Sequence, residues 1–330
     1  MSVLRWMGGA ALGLSLGLAL AACAGGAAKD AATGAGGAGG RYIYLGQSKV
    51  FAMPVSGGAP VTLVEEDLER GFVNDGIALD AKRGHIYWTN MGRAAENDGY
   101  IMRADANGAN KYAVVERGGT FTPKQLKIDE AGGKLYWADR EGMAIMRANL
   151  DGSEIETIVR TGNPVADKGK QELWCVGVAL DVARGHVYWT QKGGDNAGAG
   201  MIRRASIKIP EGQTAANRRD IVTLFARLPE PIDLDLDLAS RTIYWTDRGD
   251  NTVSRAPMDP PAGFSPALRT DRQILVRDVG EAIGVALDLK RGRMAWTSLE
   301  GEVAESALDG SDRRTLASGQ GMLTGILLAE

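Results

Sequence analysis

Residues 76–90 read GIALDAKRGHIYWTN, and residues 177–191 read GVALDVARGHVYWTQ. A near-copy at this distance limits what the chain can fold into, because a repeated unit has to bury its apolar face against its neighbours. The same aromatic core recurs as Tyr87-Trp88-Thr89-Asn90, Tyr136-Trp137-Ala138-Asp139, Tyr188-Trp189-Thr190-Gln191, Tyr244-Trp245-Thr246-Asp247 and Ala295-Trp296-Thr297-Ser298. The tryptophans stand 49, 52, 56 and 51 residues apart, and an aspartate lies seven residues before each first aromatic position: Asp80, Asp129, Asp181, Asp237 and Asp288. A period near fifty with strand-like runs indicates propeller blades, each a four-stranded sheet.

Residues 125–159 give the order within one unit: QLKID, a turn, LYWAD, a loop, AIMRANL, an Asp-Gly turn and EIETIV. Asp151-Gly152, Asn107-Gly108 and Asp309-Gly310 are hairpin signals at equivalent places. Gly84, Gly133, Gly185 and Gly292 suit a positive φ in the first hairpin turn, and the aspartate just before that turn can accept from its amides. Small residues on the first strand (Gly76-x-Ala78, Gly177-x-Ala179, Gly284-x-Ala286) and Tyr and Trp on the second form a taper, narrow at the axis and wide outside. A sixth unit is split: residues 41–64 supply its second to fourth strands and Thr324–Leu328 its first. The expected fold is all-β, a six-bladed β-propeller with four-stranded antiparallel blades, closed by pairing N- and C-terminal strands so that no blade edge is left open.

The YWTD core, the upstream GxAxD and the IMRANLDGSEIETIV continuation together resemble the low-density-lipoprotein-receptor class B, or YWTD, propeller family over nearly all of residues 41–330. Asn90, Gln191 and Ser298 depart from the final Asp, and Leu45 stands for Trp in the first blade. The resemblance implies that the repeated Tyr, Trp and Asp support the fold, and that the propeller serves as a platform for ligands, usually proteins.

Residues 1–22 carry Arg5, an apolar run and no acid, which reads as an export signal. Leu20-Ala21-Ala22-Cys23 matches the box at which bacterial lipoprotein signals are cut, so Cys23 is the expected lipidation site. Residues 23–40 form a Gly/Ala-rich tether with almost nothing to bury, and residues 41–330 form the propeller. The expected location is the cell envelope, by a lipid anchor to its membrane. Where the organism has two membranes, Ala24 after Cys23 favours the outer one or its periplasmic face. The net charge of −3 leaves no basic footprint, so nucleic acid is not expected as a partner. Cys175, in an apolar strand, reads as a buried small hydrophobe, and His85 and His186 as turn residues. GGDNAGAG at 193–200 lacks the Lys-Ser/Thr of a phosphate loop and reads as a connection between strands. The Pro-bearing excursions 207–219 and 258–271 read as solvated decorations on the far face.

Two functional readings follow. The first is a non-enzymatic, monomeric scaffold without a cofactor, binding a protein, peptide or saccharide ligand in the envelope. The second resembles the gluconolactonase and SMP-30 propellers, hydrolases that hold a divalent cation such as calcium at the channel mouth. Both use the end where the innermost strands start, near Asn74, Asp75, Gln125, Asp233 and Glu281, and three oxygen donors from separate blades would suit a hard cation. Two blades break the repeat: Lys127 and Asp235 replace the alanine, and Gln125 and Asp233 the glycine. In a six-fold ring Lys127 can reach across the channel to Asp235, so these four residues form either a structural ion-pair network or a polar patch that reads a ligand.

Overall fold

The computed structural model describes residues 39–94 and 96–330. The expected export signal, Cys23 and nearly all of the expected tether lie outside the described residues. Blade 1 takes β1 (Arg41–Gly46), β2 (Lys49–Pro54) and β3 (Val61–Glu65). Blade 2 is β4 (Asn74–Asp80), β5 (His85–Asn90), β6 (Gly99–Asp105) and β7 (Tyr112–Thr120). Blade 3 is β8 (Pro123–Asp129), β9 (Lys134–Asp139), β10 (Ala144–Asn149) and β11 (Glu156–Arg160). Blade 4 is β12 (Cys175–Asp181), β13 (His186–Gln191), β14 (Gly200–Ser206) and β15 (Val222–Leu228). Blade 5 is β16 (Pro231–Asp237), β17 (Thr242–Asp247), β18 (Thr252–Pro257) and β19 (Gln273–Arg277). Blade 6 is β20 (Ala282–Asp288), β21 (Arg293–Ser298), β22 (Val303–Ala307) and β23 (Arg314–Ala317), and β24 (Leu323–Ala329) returns to complete blade 1.

The sheet orders are β24-β1-β2-β3 and five consecutive antiparallel meanders, so the chain is a six-bladed propeller closed as the split unit predicts. Arg41 pairs with Ala329 and Tyr44 with Ile326. The inner strands β4, β8, β12, β16, β20 and β24 pack each on the next around the ring. A Cβ on Gly76, Gly177, Gly284 or Gly325 would collide with backbone of the neighbouring inner strand, which is why glycine is repeated there. Farther out, Trp88, Trp137, Trp189, Trp245 and Trp296 are fully buried between sheets, opposite Ile77, Leu126, Val178, Leu234 and Val285 respectively.

The threonine of the repeated sentence is a latch between blades. Thr89, Thr190 and Thr246 each accept from an amide of their own inner strand, at Gly76, Gly177 and Asp233, and donate to a carbonyl of the next, at Lys124, Ile232 and Ile283. Thr297 bridges Gly284 and Thr324 in the same way. Blade 3 has Ala138 at this position, and blade 1 substitutes Thr324, which donates to the Asn74 carbonyl. The aspartates before the first turn accept from turn amides in all five full repeats. The turn glycines have φ between 64° and 70°, and Arg241 takes their place in blade 5 with φ 57°.

The excursions after β14 and β18 are corrected from solvated decorations to edge covers. Arg160 N–H donates to the Ala215 carbonyl and Arg218 to the Ile158 carbonyl, capping β11, while Ala226 N–H donates to Pro266 and Arg269 to Leu224, capping β15. In blades 2, 3 and 6 the tight Asn-Gly or Asp-Gly turn lies against the preceding blade's outer strand, Gly108 on Leu63, Gly152 on Val114 and Gly310 on Leu275. Covering a free strand edge blunts its tendency to pair with another chain.

Candidate functional site

Each inner strand starts at one face of the ring, and the residue after the YWTD position lands on the same face. In blades 3, 4 and 5 that residue is a cation: Arg140, Lys192 and Arg248. Together with Lys124 they line a cavity of about 250 Å³ over an apolar floor of Val176, Ile232 and Ile283, with Trp174 in the wall. The Arg140 guanidinium lies 5.1 Å from the Trp174 ring centre and the Lys192 ammonium 5.9 Å, within the range of cation–π attraction.

The charges at this mouth are held in pairs. Glu230, itself buried, receives Lys192 at 2.7 Å and Arg248 at 2.7 Å, and Asp195 on the 193–200 loop receives the same two at 2.9 and 3.1 Å. Arg140 is bound by Glu141 at 2.6 Å, and Arg248 reaches Glu281 at 3.6 Å. Lys124 pairs with Asp75; burial drives the Lys124 pKa down against the pull of that carboxylate. Gln125 donates to the Asp75 carboxylate at 3.1 Å and to its carbonyl at 3.3 Å. Asn74 donates to Glu66 at 2.8 Å and accepts from Asn90.

Of the predicted site residues, the structure brings Asp75 and Gln125 together and leaves Glu281 on the rim with Arg248. Asp233 is buried deeper, where one oxygen accepts from Leu234 N–H at 2.8 Å and the other from Val285 N–H on the next inner strand at 3.0 Å. Burial pushes its carboxyl up to about 7, against the opposing pull of Lys127. The glycine position is therefore filled in blades 3 and 5 by side chains that bond to a neighbouring inner strand. Asp75 and Asp233 are each engaged by a neighbouring inner strand and Glu281 by Arg248, and among the described residues no three His, Cys, Asp or Glu side chains converge as metal ligands.

Lys127 and Asp235 meet across the channel at 3.5 Å, as the ring geometry requires. They face the opposite end, inside a second cavity of about 490 Å³. Burial opposes the Lys127 charge, but Asp235 and Asp233 outweigh it and hold its pKa above the ordinary value. Cys175 is buried and free, with burial raising its thiol pKa to about 12, which disfavours the reactive thiolate. His85 and His186 begin β5 and β13, and burial, with Arg103 and Arg204 beside them, lowers both pKa values.

Sequence reasoning missed Lys124, Arg140, Trp174, Lys192, Glu230 and Arg248. The signal for three of them was available, since a basic residue follows the motif in three successive repeats. Trp174 lies in the irregular segment between β11 and β12, outside the repeat, and carried no such signal.

Fold and motif together define a YWTD-type β-propeller scaffold. The chain is 41% identical over 266 residues to a Pyricularia oryzae protein named low-density lipoprotein receptor-related protein 1, matching 77% of this chain and 84% of that one. It belongs to that family of receptor-related propellers. It is also 36% identical over 303 residues to a Cochliobolus heterostrophus protein named 3-hydroxyacyl-CoA dehydrogenase-like protein LAM1, covering 88% of this chain but only 62% of the relative. That name belongs to the longer protein; the described residues form strands and two single-turn 3-10 helices, without the strand-to-helix turn that cradles a dinucleotide. No family model matches. Among solved structures, a nidogen/laminin complex matches 88% of this chain and 99% of its own chain, at TM-score 0.67 and 20% identity. A calcium-binding regucalcin from Agrobacterium tumefaciens matches 78% of each chain, at TM-score 0.55 and 18% identity. Both likenesses concern the fold alone.

Proposed function

We propose that the protein is a non-enzymatic binding scaffold, tethered to the cell envelope through Cys23, that holds a protein ligand at the mouth formed by blades 3, 4 and 5. The observation that carries this reading is the cavity between Trp174, Arg140, Lys192 and Arg248. Trp and Arg are the residue types that dominate interface energetics when they surround a small desolvated pocket, and about 250 Å³ is room for one large side chain of a partner. Val176, Ile232 and Ile283 would receive its apolar part, while paired charges fixed by Glu230 and Asp195 would meet polar atoms around it. The nidogen/laminin likeness supports a propeller that binds protein. The tether rests on the Leu20-Ala21-Ala22-Cys23 box alone.

Full-length protein recovered from intact envelopes tests both parts. Trp174→Ala and Arg248→Ala should lose a crosslinked partner that the wild type and Leu268→Ala, a change on the far-face loop, retain at equal melting temperature. Undiminished crosslinking in Trp174→Ala would remove the mouth from consideration. Cys23→Ser should release the protein from membranes, since the acyl chains supply its membrane affinity; membrane fractionation equal to the wild type would refute lipid anchoring.

A further inference from the structure

The far end of the channel carries a second constellation that the protein-binding mouth does not use. At the position two residues after the inner-strand glycine, the six blades carry Ala78, Lys127, Ala179, Asp235, Ala286 and Leu327. Lys127 and Asp235 therefore stand as one ion pair in a cavity of about 490 Å³, whose walls include Ile77, Leu79, Ile128, Leu287, Ile326 and Leu328. This volume falls within the range of small-molecule sites, roughly 300–1,000 Å³.

The two charges are not equally satisfied. Asp235 accepts from Leu236 N–H at 3.1 Å with one oxygen and from Leu287 N–H at 3.2 Å with the other, so its carboxylate is fixed and serves the joint between blades 5 and 6. The Lys127 ammonium has three N–H donors and among the described residues bonds only Asp235, at 3.5 Å, the outer limit of a hydrogen bond. Lys127 lines the cavity, so its remaining donors have room for an acceptor there. A half-buried ammonium needs acceptors to offset lost hydration, and here a ligand or water must supply them.

The rest of the lining restricts the ligand's charge. Glu130 and Glu330 stand at the cavity rim with Ala81. Glu130 accepts from Ala81 N–H at 2.7 Å, and among the described residues Glu330 is met only by the exposed Lys290, at 4.0 Å. A simple anion would satisfy Lys127 but face Asp235 and two rim glutamates. A simple cation would suit the rim and leave the Lys127 donors unfilled.

We propose that this end of the channel binds an aliphatic zwitterion the size of a free branched-chain amino acid. Its carboxylate is taken by Lys127, its ammonium by Asp235 and the rim carboxylates, and its side chain by the Ile and Leu walls. The site is independent of the protein-binding mouth and stands or falls separately from it.

Calorimetry on the full chain with three probes tests the assignment: leucine, 4-methylpentanoate, which lacks the ammonium, and 3-methylbutylamine, which lacks the carboxylate. Leucine should bind saturably, and each half-ligand at least about tenfold more weakly, the usual effect of losing a charged hydrogen bond. Lys127→Met should weaken leucine binding by a similar factor. Ala81→Trp, a change at an exposed turn on the rim, should block entry while leaving the melting temperature unchanged, so the test survives if Lys127→Met fails to fold. No leucine binding at millimolar concentration, equal binding of either half-ligand, or binding undiminished in both variants would overturn the proposal.

Discussion

Replacing Asp233 with glycine should change how stability depends on pH, and the size of the change follows from the site. Four of the other five blades carry glycine at this position, Gly76, Gly177, Gly284 and Gly325, so the backbone geometry accepts the substitution. Asp233 is buried, and its carboxyl is raised from 3.8 to about 7 in the folded protein. A raised acid binds its proton more tightly when folded than when unfolded. Its contribution is therefore fully present below about pH 4 and is lost progressively as pH rises to 7, beyond which no more is lost. Three pH units at about 1.4 kcal/mol each give about 4 kcal/mol, an upper figure for a group this close to Lys127. Urea unfolding of wild type and Asp233→Gly between pH 4 and 8.5 provides the assay, because titrations shared by the two proteins cancel in the difference. The stability of wild type relative to the variant should fall by several kcal/mol across this window. A difference independent of pH would refute the assignment of a neutral carboxyl to Asp233 in the acidic range.

Thr190→Val should cost about 3 kcal/mol in chemical denaturation, since it orphans the buried Gly177 amide and Ile232 carbonyl together; a loss below about 0.5 kcal/mol would mean the latch is dispensable. Deleting residues 323–330 removes Leu323 and Ile326 from the core and opens β1, so the melting transition should drop for the whole ring, by several kcal/mol on the scale of two large aliphatics. An unchanged transition would show that the ring closes without β24. Cys175 should resist iodoacetamide at pH 8 in the native protein and react only on unfolding, given a thiol pushed to about 12; labelling at native conditions on the timescale of a free thiol would contradict its burial.

The fold was legible because the physical demands of a blade recur in every copy. Gly76 and its equivalents answer a steric limit at the axis, Asp80 and its equivalents cap the same turn, and the buried tryptophans fill the same widening gap, so each demand appears several times and chance matches are averaged away. The split unit was readable for the same reason: a first strand at Thr324–Leu328 without a second is the complement of residues 41–64. The excursions at 207–219 and 258–271 were misread because they replace a tight turn with unrelated sequence. What they do, covering β11 and β15, depends on partners in a preceding blade that no local pattern announces. The latch was hidden for the opposite reason. Thr89, Thr190, Thr246 and Thr297 recur plainly, but a recurring threonine on a strand is already explained by its β-propensity, and only the position of the next blade shows where the hydroxyl points.

The candidate sites were less legible because they reside in departures from the repeat, and departures have two causes. Gln125 and Asp233 break the glycine rule, yet each is buried and spends its polar atoms on a neighbouring inner strand, so their chemistry is consumed by the fold. Arg140, Lys192 and Arg248 also depart, from Met91 and Leu299 at the equivalent places, but they gather on one face beside Trp174 and leave a cavity among them. Lys127 is different again, since its partner Asp235 is held by backbone amides while its own donors remain open to the channel. A departure from a repeat is thus a functional signal when the side chain retains unfilled bonding capacity or encloses space after its neighbours in the ring are counted. By that criterion the sequence offers two candidate surfaces, one at each end of the channel, and the buried pair Gln125 and Asp233 belongs to neither.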